Sequence, residues 1–447
     1  MPAMDLQRHD GDNDPKDSEI RRSQSESRFE HSDPPPPDKI FGIIQLYKND
    51  KRPSQEKLNL AVGVRLGNGG QPPQRLGAFG LASKVYEENE HPVNYQSQRG
   101  NKGFCEQMLS LPFGDQIALD SRVAHIQTNG GTGALHDALK FHQLQFPDAK
   151  VAILGTSWPN YTGIIENVRG PEKLLTVPLY DRTTRLNDED SFLEAIKCLP
   201  ENCALLFDPM GQNPTGIDLT PEGISKLAQL LSTTRKDILL IADVAYLGLH
   251  KSIKEDAAHL RLLQESGLEF FLSLSASKTL SAYNSRLGVL AFFSTTEKGA
   301  QNVQAILERK IVRGKDSNRS YPDAEKVRIM LSHPELRESF LEELEEGRQL
   351  LTQVKANLAD KIEENGYCGD LTWMRASTAL FSLIGLSTEF DQIAREKYGL
   401  FMPDGGRICY GAIHAGNIDL AAEKFAGLLA EWDSHLKEIK ISGPSIA

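Results

Sequence analysis

Short apolar segments alternate with helical patterns through the middle of this chain, and this alternation restricts the fold more than any other feature. Apolar runs occur at Val151–Leu154, Leu174–Val177 and Ala204–Phe207. A helical pattern begins at Pro221, and another apolar run follows at residues 238–242. Strands that alternate with helices form parallel sheets, and strands without polar alternation are buried on both faces. The sequence therefore predicts an α/β fold whose large domain has a mainly parallel, mixed sheet flanked by helices.

A later region predicts a smaller α+β domain. A helical pattern rich in Glu, Leu and Lys runs from Pro334 to about residue 365 and is closed by Gly366. This matches the preference for proline in the first helical turn and glycine after the last. Segments 379–386 and 407–413 predict two strands, and a final helix is expected from Asp419 to about residue 437.

The chain divides into four predicted segments. Residues 1–38 are polar, mixed in charge and end in a proline run, a composition that buries too little apolar surface to offset the entropy of ordering. We predict a disordered tail there. Residues 39–75 should form the N-terminal segment of the small domain, 76–335 the large domain, and 336–447 the rest of the small domain.

Charge and composition exclude several classes of function. A formal net charge of -11 leaves no dominant basic face, which argues against nucleic acid as a partner. The five cysteines lack C-x-x-C spacing, which indicates a reducing compartment and no metal site. No apolar run is long enough to span a bilayer. We expect a cytoplasmic protein that binds small molecules.

Lys278 follows the apolar run FFLSLSAS at residues 270–277, and Arg286 lies shortly after it. A buried strand would carry the amine of Lys278 to a loop at the edge of the sheet. Burial disfavours the charged ammonium, so the pKa of this amine should fall and the free amine could attack a carbonyl. The alternative is a lysine whose stem lies over the sheet while its charge stays in water.

Two turns could contact a ligand. Gly-Gly-Thr-Gly at 130–133 follows a predicted strand at 123–127 and precedes a helix expected from residue 133. Backbone N–H groups at such a helix N-terminus bind anions. Asn213 opens an Asn-Pro-Thr-Gly sequence after the strand that ends at Phe207. Each of these segments could equally be an ordinary turn.

Asp243 and Tyr246 come directly after the run at 238–242, at the end of a strand where parallel sheets bind ligands. A buried carboxylate needs a cation or hydrogen bonds, and a protonated pyridine nitrogen is one such cation. Alternatively, Asp243 caps the next helix. Ser275 and Arg286 could hold a phosphate beside the reactive lysine.

Arg407 follows two glycines at the start of a predicted strand in the small domain. Its planar guanidinium could bind a carboxylate through two hydrogen bonds. The alternative for a single arginine is a surface salt bridge.

Taken in order, these segments resemble the aspartate and aromatic aminotransferase family, the fold-type I enzymes that use pyridoxal 5'-phosphate. The resemblance extends from about Asp38 to the C-terminus. The matching motifs are NLAVGV at 59–64, Asn94-Tyr95, GGTGA at 130–134, SWPN at 157–160, NPTG at 213–216, Asp243 with Tyr246, SASK at 275–278 with Arg286, and GGRI at 405–408. The resemblance implies that the large domain binds the cofactor.

The resemblance also implies a role for each residue. Lys278 would bind the aldehyde carbon of the cofactor and later move a proton as general base and acid. Asp243 would pair with the pyridinium nitrogen, while Tyr246 and Asn213 would hydrogen-bond the phenolic oxygen. The residues implied at the cofactor phosphate are Gly130, Gly131, Thr132, Ser275 and Arg286.

By the same resemblance, Trp158 would stack on the cofactor ring. Arg407 would hold the α-carboxylate of the substrate, together with Gly63 and Asn213. No metal is implied.

A homodimer with shared active sites is a further implication. Tyr95 would reach the cofactor of the neighbouring subunit, and Arg313 would read a side-chain carboxylate there. A solvated basic helix face is the alternative for Arg313. The implied substrates are an L-amino acid, aspartate- or glutamate-like or aromatic, and a 2-oxo acid. Decarboxylation or β-elimination by the same cofactor is the alternative reaction.

Several residues depart from the family pattern. Asp316 stands where a tyrosine is usual, and it could repel an acidic substrate, neutralise Arg313 or bind a basic or hydroxylated group. Tyr161, Asp208 and Gln212 occupy positions that are often histidines, and we expect Tyr161 to donate a hydrogen bond to Asp243. The segment Gln-Ser-Gln-Arg at 96–99 also differs, which leaves the identity of the amino acid open.

Overall fold

The computed structural model describes Phe29, Ser32 and residues 38–61, 63–64, 71, 74–378 and 380–442. The tail predicted at 1–38 therefore lies outside the described residues, apart from Phe29, Ser32 and Asp38. The strands are β1 (Leu58–Asn59), β2 (Val123–Asn129), β3 (Val151–Leu154), β4 (Leu174–Val177), β5 (Tyr180–Asp181), β6 (Leu186–Asn187), β7 (Ala204–Phe207), β8 (Leu239–Val244), β9 (Phe270–Ser275), β10 (Leu287–Phe293), β11 (Phe381–Leu383), β12 (Leu400–Phe401) and β13 (Arg407–Cys409).

Helices cover the sheet and build most of the rest of the described chain. They are α1 (Lys39–Asn49), α2 (Gly77–Glu87), α3 (Lys102–Phe113), α4 (Gly130–Gln145), α5 (Asn160–Arg169), α6 (Glu189–Lys197), α7 (Pro221–Gln229), α8 (Ile253–Asp256), α9 (Ala258–Glu265), α10 (Glu297–Ile306), α11 (Arg313–Lys315), α12 (Pro322–Ser332), α13 (Pro334–Glu364), α14 (Thr372–Arg375), α15 (Thr388–Glu396) and α16 (Ile418–Ser442).

A seven-stranded sheet forms the centre of the large domain, in the order β2-β10-β9-β8-β7-β3-β4. Neighbouring strands are parallel from β9 through β8, β7 and β3 to β4. Only β10 runs antiparallel to its neighbours, β2 and β9. The prediction of a mainly parallel, mixed sheet is confirmed.

Successive residues of the inner strands enter separate apolar clusters on the two faces of the sheet. In β8, Leu240 and Ala242 pack into one cluster, whereas Ile241 packs into the other. All three are fully buried. This explains the lack of polar alternation, because helices cover both faces of a sheet of this kind.

The smaller α+β unit is formed by chain segments far apart in sequence. β1 pairs parallel with β12, and β11 pairs antiparallel with β13. The long helix α13 begins with Pro334 and packs against α16. Within the described part of the chain, no helix is long and apolar enough to cross a membrane.

Several predicted boundaries were wrong. Helix α16 ends at Ser442 rather than at about residue 437, and β8 extends to Val244, so Asp243 lies inside this strand rather than after it. Helix α4 begins at Gly130 rather than residue 133. The segments 379–386 and 407–413 form only the short strands β11 and β13, each of three residues. Residues beyond these strands, such as Ile384 and Ile413, are buried, so their apolar character reflects burial rather than strand pairing. The division at 39–75, 76–335 and 336–447 stays a prediction.

Candidate active site

A cavity of about 260 Å³ lies where the carboxyl ends of the parallel strands meet the small domain. It is lined by residues from both parts of the chain, which are Ile40, Ala61, Gly63, Gly131, Thr132, Trp158, Tyr161, Asp208, Asn213, Asp243, Ala245, Tyr246, Ser275, Ser277, Lys278, Arg286, Phe381 and Arg407. The cavity thus unites residues that the sequence separates by hundreds of positions.

One side of the cavity is suited to an anion. Strand β2 leads directly into α4, and Gly130 adopts a left-handed φ of 71° at the junction. Gly131 and Thr132 line the cavity at this helix N-terminus, facing the same space as Ser275 and Arg286. Exposed N–H groups, the helix dipole and a guanidinium together attract a phosphate.

Glycine is required at this junction for space as well as for backbone conformation. A Cβ atom on Gly130 would lie 2.7 Å from Arg286 Nη2. On Gly131 it would lie 3.2 Å from Ser275 Cβ. The guanidinium of Arg286 is steadied by a hydrogen bond from Nη1 to the Tyr283 carbonyl oxygen, at 3.2 Å. Larger residues would therefore push the arginine away from the anion-binding side.

Asp243 lies inside strand β8 and is held by two hydrogen bonds. Parallel pairing places it beside Ser273 of β9, so both side chains emerge on the same face of the sheet. Ser273 Oγ donates to Asp243 Oδ1 at 2.9 Å, and Tyr161 Oη donates to Asp243 Oδ2 at 2.9 Å. The donation expected from Tyr161 is present, and the alternative that Asp243 caps a helix is wrong.

The protonation of Asp243 depends on competing effects. Burial raises its pKa, while the hydrogen bonds from Ser273 and Tyr161 and the nearby charge of Lys278 lower it. A cation placed next to Asp243 would favour its ionised form. The site is therefore suited to a protonated ring nitrogen.

Lys278 follows the end of β9 and reaches the cavity, with Nζ lying 5.5 Å from the centre of the Tyr246 ring. Burial lowers the pKa of this amine, and the charge of Asp243 opposes that fall. The cationic side chains of Arg286 and Arg407 lower the pKa further. The predicted direction of the shift is confirmed, and it favours the neutral, nucleophilic amine.

Arg407 lies in β13, where its buried side chain lines the cavity. Its Nη2 donates to the Ala61 carbonyl oxygen at 2.5 Å, and its Nη1 donates to Asn213 Oδ1 at 3.2 Å. The guanidinium carbon lies 4.4 Å from the centre of the Phe381 ring. Among the groups that the structure describes, its buried Nε has no hydrogen-bond partner. A surface salt bridge is ruled out for this arginine, which is only 3% exposed.

Asn213 connects several of these groups. It forms a cis peptide bond with Pro214, and its Nδ2 lies 3.5 Å from Tyr246 Oη as a hydrogen-bond donor. Of the Asn-Pro-Thr-Gly segment, Asn213 lines the cavity, beside Arg407.

Trp158 and Gly63 also line the cavity. The Trp158 ring meets the Tyr161 ring edge to face, with centres 5.4 Å apart. Gly63 approaches Phe381 so closely that a Cβ atom would lie 2.9 Å from its ring.

Tyr95 and Arg313 lie outside the cavity of their own chain. Tyr95 is 93% exposed, and Arg313 is exposed at the start of α11, where its Nη1 donates to Ser317 Oγ at 2.7 Å. Asp316 does not neutralise Arg313, because it pairs with the buried side chain of Arg319. That possibility was wrong.

Sequence reasoning missed Ser273, Ile40, Ala61 and Phe381. The serines at 273 and 275 break an apolar strand at a spacing of two residues, so both point to one face, which could have indicated Ser273. Ala61 lies in the NLAVGV motif, which did not single it out, and nothing in the sequence indicated Ile40 or Phe381. Among the described residues, no group of three or more His, Cys, Asp or Glu side chains is placed to hold a metal ion.

Known proteins resemble the chain over most of its length. The family model for aminotransferase class I and II matches residues 55–425. An aspartate aminotransferase of Pseudomonas aeruginosa is 30% identical over 396 residues, which cover 88% of this chain and 98% of that protein. An aromatic-amino-acid aminotransferase of Escherichia coli is 28% identical, with 88% and 98% of the two chains covered.

Solved structures agree. The aromatic-amino-acid aminotransferase of Burkholderia pseudomallei, crystallised covalently bound to pyridoxal phosphate, has a TM-score of 0.85 and 30% identity, and the match covers 90% of this chain and all of that one. A cytoplasmic aspartate aminotransferase of Saccharomyces cerevisiae has a TM-score of 0.83 and 26% identity, with 91% and 99% covered. The chain belongs to the class I and II aminotransferase family.

Proposed function

We propose that the chain transfers an amino group reversibly between an L-amino acid and a 2-oxo acid, with pyridoxal 5'-phosphate bound to Lys278. It is an aminotransferase that depends on this cofactor, as its family and fold indicate. The observation that carries the residue assignment is the convergence of Lys278, Asp243 and Arg407 on one cavity beside an anion-binding helix N-terminus.

The residues present fit the cofactor. The absence of a side chain at Gly130 and Gly131 leaves room for the side chains of Arg286 and Ser275 on the anion-binding side, and Gly131 lines the cavity there whereas Gly130 does not. Thr132 and Ser275 add hydroxyl groups to the same wall. Asp243, with its two hydrogen-bond donors, would hold the ring nitrogen in its protonated form. Bound there, pyridoxal phosphate supplies an electron sink for the substrate carbanion.

The remaining side chains would orient the reacting groups. Tyr246 and Asn213 would hydrogen-bond the phenolic oxygen, and Trp158 would cover the ring. Once the substrate amine has replaced Lys278 on the cofactor, the freed amine of Lys278 would accept the proton from the substrate α-carbon. It would then donate that proton to the cofactor carbon that it had bound. The lowered pKa of Lys278 supports this role, because a base must be neutral to accept a proton.

Substrate binding would depend on Arg407. Its guanidinium is oriented by Ala61 and Asn213, and its Nε remains free to donate. A carboxylate accepts two parallel hydrogen bonds from such a group. Gly63 would allow the substrate to approach the backbone, since Phe381 already fills the space of a Cβ atom there.

We also propose a homodimer in which each chain completes the active site of the other. Tyr95 and Arg313 are exposed on their own chain, and a hydrogen bond from the Asn318 amide to the Gln96 carbonyl oxygen links their two loops. This link would present both side chains to one partner. Arg313 would then favour acidic side chains. The proposed amino acids are aspartate- or glutamate-like, or aromatic as for the Escherichia coli relative.

The proposed location is the cytoplasm. All five cysteines are free, and three of them are buried. Free cysteines are typical of a reducing compartment.

Lys278→Ala tests the assignment, with the exposed Lys254→Ala as control. Borohydride should fix the cofactor to Lys278 in the wild type and the control, which peptide mass spectrometry would detect, and to no residue in Lys278→Ala. A label on another lysine would refute the role of Lys278.

A panel of amino acids then tests the reaction. Conversion of the bound cofactor to its pyridoxamine form, with release of the matching 2-oxo acid, is the expected result. Release of carbon dioxide or ammonia instead would contradict amino transfer and indicate decarboxylation or elimination.

A further inference from the structure

A second carboxyl group lines the cavity, and the roles described above do not include it. Asp208 follows the last residue of β7 and is only 6% exposed. Its Oδ2 accepts a hydrogen bond from the Asn213 backbone N–H at 2.6 Å. Its Oδ1 is buried and has no partner among the groups that the structure describes. One oxygen is therefore fixed in the wall, while the other still requires a partner.

The surroundings of Asp208 disfavour a negative charge. Burial is the main cause that raises its pKa, and the carboxylates of Asp243 and Asp218 raise it further. The phenol groups of Tyr161 and Tyr246 are near enough for a charge on Asp208 to raise the pKa of each. Two carboxylates that share a buried site do not both ionise readily.

Two cations of the cavity, Lys278 and Arg407, interact with groups other than Asp208. Lys278 is influenced by Asp243, whose charge opposes the fall in its pKa. Arg407 is held by the Ala61 carbonyl oxygen and by Asn213 Oδ1. Among the described residues, the Asn213 N–H donates to Asp208 Oδ2 and no group donates to Oδ1, so neither cation is hydrogen-bonded to Oδ1.

We propose that Asp208 is a positioning residue of the cofactor cavity that acts as a neutral carboxylic acid, with Oδ2 accepting the Asn213 N–H and a protonated Oδ1 donating into the cavity. The inference rests on the proposed function, because it assigns this cavity to the cofactor. Asp208 acts through Asn213, whose side chain contacts both Tyr246 and Arg407.

If Asp208 is neutral, Asp243 is the one negatively charged side chain among the described residues that line the cavity. A second anion would favour the cationic form of the link between Lys278 and the cofactor, and would raise the pH at which that link loses its proton. Asp208 would therefore fix the geometry of the wall without adding charge to it.

Asp208→Asn tests the charge, because asparagine has the shape of the neutral acid and keeps an oxygen to accept the Asn213 N–H. The loaded enzyme is titrated, and the pH midpoint of the change in visible absorbance is recorded. The midpoint should match that of the wild type and of the exposed control Asp190→Asn. A midpoint lowered by about one unit or more would mean that Asp208 is ionised, which would overturn the proposal.

Infrared difference spectroscopy detects the proposed proton on Asp208 directly. The carbonyl band of a protonated carboxyl group should be present at neutral pH in the wild type and in Asp190→Asn, and should be lost in Asp208→Asn. Equal spectra for the wild type and Asp208→Asn would refute the proposal. The infrared measurement can be made on the cofactor-free protein, so its outcome does not depend on whether the protein binds pyridoxal phosphate.

Asp208→Ala tests the positioning role, because alanine leaves the Asn213 N–H without an acceptor. Affinity for pyridoxal phosphate, measured by equilibrium titration, should fall about tenfold in this variant, while Asp208→Asn stays within about twofold of the wild type. Equal losses in the two variants would contradict positioning by a neutral acid.

Discussion

Removal of one hydroxyl group, in Tyr161→Phe, should weaken cofactor binding through Asp243. The hydroxyl donates to Asp243 Oδ2 at 2.9 Å, and Tyr161 is only 1% exposed. The variant keeps the ring that meets Trp158 edge to face. It therefore removes a hydrogen bond and little packing.

The size of the effect follows from the charge on the acceptor. A hydrogen bond to a charged group contributes about 1.5–3 kcal/mol, and one pKa unit corresponds to about 1.4 kcal/mol. Loss of the Tyr161 hydrogen bond, which lowers the pKa of Asp243, should therefore raise that pKa. Since Ser273 still donates to the other oxygen, a loss at the lower end of this free-energy range is expected. The affinity for pyridoxal phosphate should therefore fall about tenfold or somewhat more.

The same hydrogen bond determines how the affinity for pyridoxal phosphate changes with pH. Ionised Asp243 is the form that pairs with a protonated ring nitrogen, so binding weakens as the pH falls through the pKa of Asp243. In Tyr161→Phe this loss should begin at a higher pH. Equilibrium titration with pyridoxal phosphate between pH 5 and pH 8 measures it.

Tyr410→Phe is the matched control. Tyr410 is fully buried and shares a 2.8 Å hydrogen bond with Ser382, yet it does not line the cavity. Its variant should keep the affinity and pH profile of the wild type. If Tyr161→Phe did the same, the hydrogen bond to Asp243 would have no part in holding the cofactor.

Two further predictions concern stability. Burial lowers the pKa of Lys355 from 10.5 to about 8, so the folded state binds fewer protons than the unfolded state between these values. Between pH 8 and pH 10.5, the free energy of unfolding of the wild type should therefore rise by up to about 3 kcal/mol relative to that of Lys355→Met. Urea titrations across this pH range measure both free energies, and the same pH dependence in the two proteins would contradict the prediction. The buried Arg319 bridges Asp137 and Asp316, so Arg319→Met should lower the free energy of unfolding by about 3–5 kcal/mol, whereas the exposed Arg182→Met should leave it nearly unchanged. A loss below about 1 kcal/mol for Arg319→Met would show that the network is not stabilising.

Three strands were predicted with the ends that the structure shows. They are Val151–Leu154, Leu174–Val177 and Ala204–Phe207, and each is a short apolar run that is followed directly by a glycine, a proline or a charged residue. Helix α7 begins at Pro221 as predicted, since Thr220 caps it with its side chain. Local patterns suffice where the local sequence and tertiary burial favour the same structure.

Prediction failed where one local sequence is compatible with two structures. The glycines at 130–133 permit either a turn or the first turn of a helix. The choice depends on packing against Arg286 and Gly288, which lie far away in sequence. Likewise, Asp316 has several basic neighbours, and its pairing with Arg319 depends on how the loop closes over α4. Periodicity does not contain this information.

The three departures from the family's usual histidines lead to different consequences in the structure. Tyr161 donates its single hydroxyl proton to Asp243, so it stabilises the negative charge that a protonated ring nitrogen requires. Asp208 accepts from the Asn213 backbone, and Gln212 accepts from Thr215 within the same loop. A neutral Asp208 would add no charge beside Asp243, and a phenol and an amide add none either. If all three groups are neutral, the chain has uncharged groups where the family usually has titratable imidazoles. The single negative charge beside the ring nitrogen, that of Asp243, would then stay the same across the neutral pH range. The cofactor chemistry would then depend on pH mainly through Lys278, whose environment already lowers its pKa.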